Sequence, residues 1–104
     1  MITAKYLEKE IPHRNWDGVQ RLYDLGHGFK LSLINSTMAH RYVFAWEAAV
    51  LYNGSLTYAT PLTSNVEVFD SDDAANAFIE SAKAWVDAQS DESIAAMMDR
   101  EANT

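Results

Sequence analysis

Apolar positions along this chain keep two rhythms, period two through its middle and the helical period near its end. Phe29, Leu31 and Leu33 alternate with Lys30, Ser32 and Ile34, which predicts a strand over 29–34, followed by a turn region at Asn35–His40. Tyr42 to Tyr52 predicts a longer, central strand. Tyr42, Phe44, Trp46, Ala48, Val50 and Tyr52 share an aromatic face; Val43, Ala45, Glu47, Ala49 and Leu51 share the other. Asn53-Gly54 follows at once, and both residues tolerate positive φ. A two-residue type I′ hairpin is predicted, setting Tyr52 against Ser55, Leu51 against Leu56 and Ala49 against Tyr58. Pro61 has no N–H to donate and should end or edge the returning strand. Alternation from Asn65 to Phe69 predicts one strand more.

The helical period begins after Phe69. Asp70 or Ser71 caps a helix over about 72–89, whose stripe of Phe78, Ile79, Ala82, Trp85 and Val86 faces a core, with Asn76, Glu80, Lys83 and Asp87 opposite. Ser90 starts a second helix that presents Ile94, Met97 and Met98. Nearer the start, Val19, Leu22 and Tyr23 keep Trp16's face at helical spacing. A short helix over Trp16–Leu25 is therefore expected, capped by Asn15, stopped by Gly26 and weakened by Gly18. Residues 2–11 read equally as an edge strand or a first helical turn. The expected architecture is one α+β domain over 1–104, an antiparallel sheet of three to four strands with helices on one face, in the order (β or coil)-α-β-β-β-β-α-α.

Charge changes the picture in one place. Residues 70–104 hold Asp70, Asp72, Asp73, Glu80, Asp87, Asp91, Glu92, Asp99 and Glu101 against Lys83 and Arg100, which equals the whole formal charge of −7. The remainder is neutral. That balance argues against direct binding to nucleic acid or an anionic membrane, because both require a basic surface. The chain has no cysteine, so disulfides and thiolate metal sites are excluded. With no apolar signal core near Met1, a cytoplasmic setting is expected.

The acids admit two readings. Asp73, Glu80 and Asp87 recur every seven residues, a step of roughly 10 Å along a helix. With Asp91, Glu92, Asp99 and Glu101 they can form an array that meets a basic protein surface and mimics nucleic-acid phosphate. Alternatively, Asp72, Asp73, Asp91 and Glu92 are first-turn carboxylates that favour helix N-termini, and Lys83 interrupts the array.

Other chemistry is sparse. His13, His27 and His40 lack a second metal ligand at helix or hairpin spacing, and no catalytic, cofactor or metal site is predicted. A small-ligand or hydrolytic site near His13, Trp16 and His27, or at Glu47 with Glu67, is the weakest of three expectations. The leading one is a non-enzymatic, acidic protein-binding module or inhibitor that engages a basic surface through Glu80, Asp87, Asp91, Glu92, Asp99 and Glu101. Size and charge alone resemble those of small accessory or phage-type inhibitor proteins. The alternative is a homodimer formed through an uncovered aromatic sheet face carrying Tyr42, Tyr52 and Tyr58.

Overall fold

Alternation governs more of the chain than the sequence reading assigned to it. A computed structural model describes residues 1–12, 18–36, 46–63 and 67–102. Among these residues are six strands and two helices: β1 Leu7–Pro12, β2 Gly18–Gly26, β3 Phe29–Ser36, β4 Trp46–Tyr52, β5 Ser55–Leu56, β6 Glu67–Phe69, α1 Asp72–Asp87 and α2 Asp91–Ala102. All pairings are antiparallel, in the order β1-β2-β3-β4. The outer edge of β4 is shared, by β5 at one end and β6 at the other. The α+β class holds, with more strands than expected. Among the described residues no helix is long and apolar enough to cross a membrane.

The helix expected over Trp16–Leu25 is a strand. Arg21 and Tyr23 alternate with Gln20, Leu22 and Asp24, and β2 pairs with Leu31 at Tyr23 and with Leu33 at Arg21. Gly26, His27 and Gly28 all have positive φ (89°, 54° and 83°), so the segment turns back as a hairpin and does not terminate a helix. Residues 7–12 resolve as strand β1, whose last residue, Pro12, sits on the outermost strand, where a missing N–H costs least. Tyr42–Ala45, the turn over 37–40 and Asn65–Val66 lie outside the described residues. Asn35 and Ser36 belong to β3.

The Asn53-Gly54 hairpin forms as expected, with φ of 50° and 88°, and it pairs Leu51 with Leu56 and Tyr52 with Ser55. Strand pairing ends at Leu56, before Tyr58 can pair with Ala49. Ser71 is the α1 cap, its hydroxyl accepting from Ala74 N–H at 3.1 Å. Ser90 and Ser93 cap α2 reciprocally, each hydroxyl accepting from the other's backbone N–H (3.1 and 3.0 Å).

One core lies between the sheet and the helices. Tyr23, Leu25, Phe29, Leu31, Leu33, Trp46, Ala48 and Val50 meet Ala75, Ile79, Ala82 and Val86 of α1 and Ile94 and Met97 of α2. The covered face is therefore the aromatic one. Tyr52 belongs to it, its ring 4.9 Å from Phe29. The opposite face carries Leu22, Ile34, Ala49, Leu51, Leu56 and Val68 interleaved with Gln20, Lys30, Ser32 and Glu47, the mixed pattern of a sheet surface turned from the core.

Candidate functional site

The six acids singled out from sequence divide by helix. On α1, both are paired within the fold. Glu80 accepts from the Tyr6 hydroxyl at 3.4 Å and meets Lys5 Nζ at 3.4 Å. The Tyr6 contact and then Glu80 hold the Lys5 ammonium pKa above its ordinary value. Asp87 accepts from Lys83 Nζ at 2.5 Å. Lys83, the cation that interrupts the acidic line in the sequence, points inward. It also donates to the Leu25 carbonyl at 3.3 Å and lies 5.5 Å from the Tyr6 ring centroid. Asn76, assigned with it to the solvent side, is half-buried and bonded to residues 1–3.

On α2 the arrangement differs. Ile94 and Met97 anchor the helix, which leaves Asp91, Glu92, Ala95, Ala96 and Asp99 exposed. Glu92 and Asp99 are seven residues apart, on one line roughly 10 Å long. The short side chains of Ala95 and Ala96 stand between them and leave the carboxylates unobstructed. Asp91 is fully exposed and lies 3.8 Å from His27 Nδ1 in the β2–β3 turn. None of the three has a Lys or Arg partner among the described residues, whereas Lys5, Arg21, Lys30 and Lys83 each have a carboxylate. Glu101 is engaged elsewhere, accepting from the Thr57 hydroxyl at 2.5 Å.

Two surface clefts accompany these residues. One of about 440 Å³ is lined by Tyr58, Ala59, Met97, Arg100 and Glu101, between the segment after β5 and the end of α2. The second, about 320 Å³, lies at the start of α1 against Met1, Ser71, Asp72 and Asp73. In the second, the Ser71 hydroxyl is engaged as the α1 cap, accepting from Ala74 N–H at 3.1 Å.

The remaining sequence candidates are dispersed. Glu47 pairs in register with Val68, while Glu67 pairs with Ala48 on the covered side, so the two carboxylates stand on opposite faces and cannot flank one bond. His27 is exposed in a turn, and His13, Trp16 and Tyr42 lie outside the described residues. Tyr58 is exposed beside α2, so Tyr52 and Tyr58 do not form one sheet surface. No group of three or more potential metal ligands occurs among the described residues. Sequence reasoning missed the segment 1–6, whose docking pairs Glu80 with Lys5; Lys5-Tyr6 ahead of an alternating run is a weak signal for it. Compared with protein-family models, curated proteins and solved structures, the chain has no significant match.

Proposed function

We propose that this chain is a non-catalytic protein-binding module that presents the solvent face of α2 to a basic surface on another protein. The observation behind this reading is the contrast between the α1 and α2 members of the set of six acids singled out from sequence; Asp73, in the first turn of α1, lies outside the set. Glu80 and Asp87 are neutralised by Lys5 and Lys83, while Asp91, Glu92 and Asp99 are exposed and without a Lys or Arg partner among the described residues. Carboxylates with no lysine or arginine beside them keep their field in solution, steer a cationic partner and gain on contact what they lack internally. A groove built for nucleic-acid phosphate has the matching chemistry, and occupying it would block the enzyme that owns it.

The test is charge reversal of Asp91, Glu92 and Asp99 to Lys together, measured against the partner recovered from host extract at low salt. Partner binding should be lost, and wild-type binding should weaken steeply with salt. Glu80→Gln with Asp87→Asn should leave binding intact. Retained binding by the triple variant would overturn the reading.

A second reading is favoured by the uncovered sheet face, where Leu56 and Val68 are 49% and 56% exposed. A homodimer through that face should dissociate on Val68→Lys in sedimentation.

A further inference from the structure

Residues 1–6 run from β1 into the groove between α1 and β2 and are held there mainly through their backbone. Asn76 brackets the segment: its Oδ1 accepts from Thr3 N–H at 2.8 Å and its Nδ2 donates to the Met1 carbonyl at 2.9 Å. The Tyr23 hydroxyl donates to the Thr3 carbonyl at 2.7 Å, and Arg21 Nη2 reaches the same oxygen at 3.5 Å. Ile2 packs against the core and Lys5 pairs with Glu80. These partners are distant in sequence, so none of the contacts requires strap and groove to belong to one molecule.

A single turn keeps them in one chain. Leu7 N–H donates to the Ala4 carbonyl at 3.0 Å, and Tyr6 between them has φ of 68°. A bulky L-residue in the left-handed region is disfavoured, by roughly tenfold in the local equilibrium. Rotation at Tyr6 φ moves only what precedes it, so the Asp24 N–H to Tyr6 carbonyl bond of 2.9 Å survives opening.

We propose that the strap is exchangeable, with a second copy of this chain supplying its residues 1–5 to the groove between α1 and β2. The two copies form a reciprocal dimer joined by two opened Ala4–Leu7 turns. From Thr3, bound in the acceptor groove, to Tyr6, held on its own β1, the extended chain spans about 10 Å, so the exchange joins two copies whose grooves lie side by side. The exchange rebuilds the strap's contacts with Asn76, Tyr23, Arg21 and Glu80 and relieves both Tyr6 residues, against two lost Leu7–Ala4 hydrogen bonds and the cost of association; strained short hinges favour this route. The groove is fitted to this sequence at Ile2, Thr3 and Lys5, and a second copy carries that sequence at every encounter.

Two variants of one residue test it in the full chain. Tyr6→Gly accepts positive φ freely and holds the turn closed. Tyr6→Pro fixes φ near −65° and pushes Lys5 toward extended geometry, which opens the turn. Both lose the same ring contacts, so their difference isolates the hinge. In sedimentation equilibrium Tyr6→Pro should dimerise roughly tenfold or more tighter than wild type, and Tyr6→Gly roughly tenfold or more weaker. Adding Asn76→Ala to Tyr6→Pro should dissociate the dimer. Equal association of the two variants, or a Tyr6→Pro dimer indifferent to Asn76→Ala, overturns the proposal. If circular dichroism shows Tyr6→Pro unfolded, Tyr6→Val, whose β-branch is more strongly disfavoured at positive φ, takes its place with the same expected direction. A dimer that responds to Val68→Lys and to neither hinge variant also overturns it.

Discussion

Tyr23→Phe removes one oxygen atom and with it one part-buried hydrogen bond. Tyr23 is fully buried, opposite Leu7 and Leu31 in register, so the phenyl ring keeps its packing. What is lost is the 2.7 Å bond from its hydroxyl to the Thr3 carbonyl, leaving that oxygen with the 3.5 Å Arg21 contact. A net loss of about 1 kcal/mol is expected at neutral pH. Burial pushes the Tyr23 hydroxyl pKa above its ordinary value of 10.0, with Arg21 opposing in part. The unfolded phenol therefore loses its proton first. Stability held by the protonated hydroxyl is complete below about pH 10 and falls as pH rises from there through the folded value. Phe has no proton to lose, so the gap between the two proteins should shrink above that pH. Urea unfolding followed by tryptophan fluorescence, at neutral pH and in steps from about pH 9 to about pH 11, measures this directly. A gap constant across the range, or none at neutral pH, would refute the reasoning.

Two further substitutions probe the scaffold. Ile79→Ala empties a fully buried position where α1 meets the sheet and should cost about 3 kcal/mol in the same urea assay. Gly28→Ala and Gly54→Ala both place a side chain at positive φ, but only at Gly28 does the new Cβ meet an atom, Asn53 Oδ1 at 2.5 Å. Gly28→Ala should be the more destabilising, and Asn53→Gly in the same chain should remove the excess; equal losses at the two glycines would contradict the contact.

The strongest local signals in the sequence were those tied to backbone geometry. Asn53-Gly54 and the stripe ending at Val86 led to the right turn and the right helix, because positive φ and helical burial leave a direct mark on residue choice. Gly18–Gly26 misled because Leu22 interrupts its alternation. Val19, Leu22 and Tyr23 then satisfy helical spacing as well as Arg21 and Tyr23 satisfy the strand, and only pairing with β3 decides between them. The covered face followed the same logic: an aromatic face can serve as core or as interface, and the helices settle it by packing on Trp46 and Val50. Neutralisation of Glu80 was not legible, because Lys5 and Tyr6 lie more than seventy residues away and reach it only through the strap.

That distinction determines what the acidic third of the chain can be used for. Lys83 is half-buried, with its side chain 24% exposed, and ties the end of β2 to α1 while it neutralises Asp87, so the pairing belongs to the helix–hairpin junction. Asp91 and Glu92 stand in the first turn of α2, where the helix dipole alone favours carboxylates. Asp99 has no such reason. It lies toward the C-terminal end, where a negative charge is mildly unfavourable, and it has no cationic partner among the described residues. The three exposed acids therefore do not count equally as signs of a partner. Asp99→Lys should leave stability unchanged or raise it by a few tenths of a kcal/mol, since a cation suits that end of the helix. Under the binding reading the same substitution should weaken capture of the basic partner and flatten its salt dependence. Improved stability with unchanged capture would mean that α2 is only a solvated surface, so this one residue separates the two accounts of the charge.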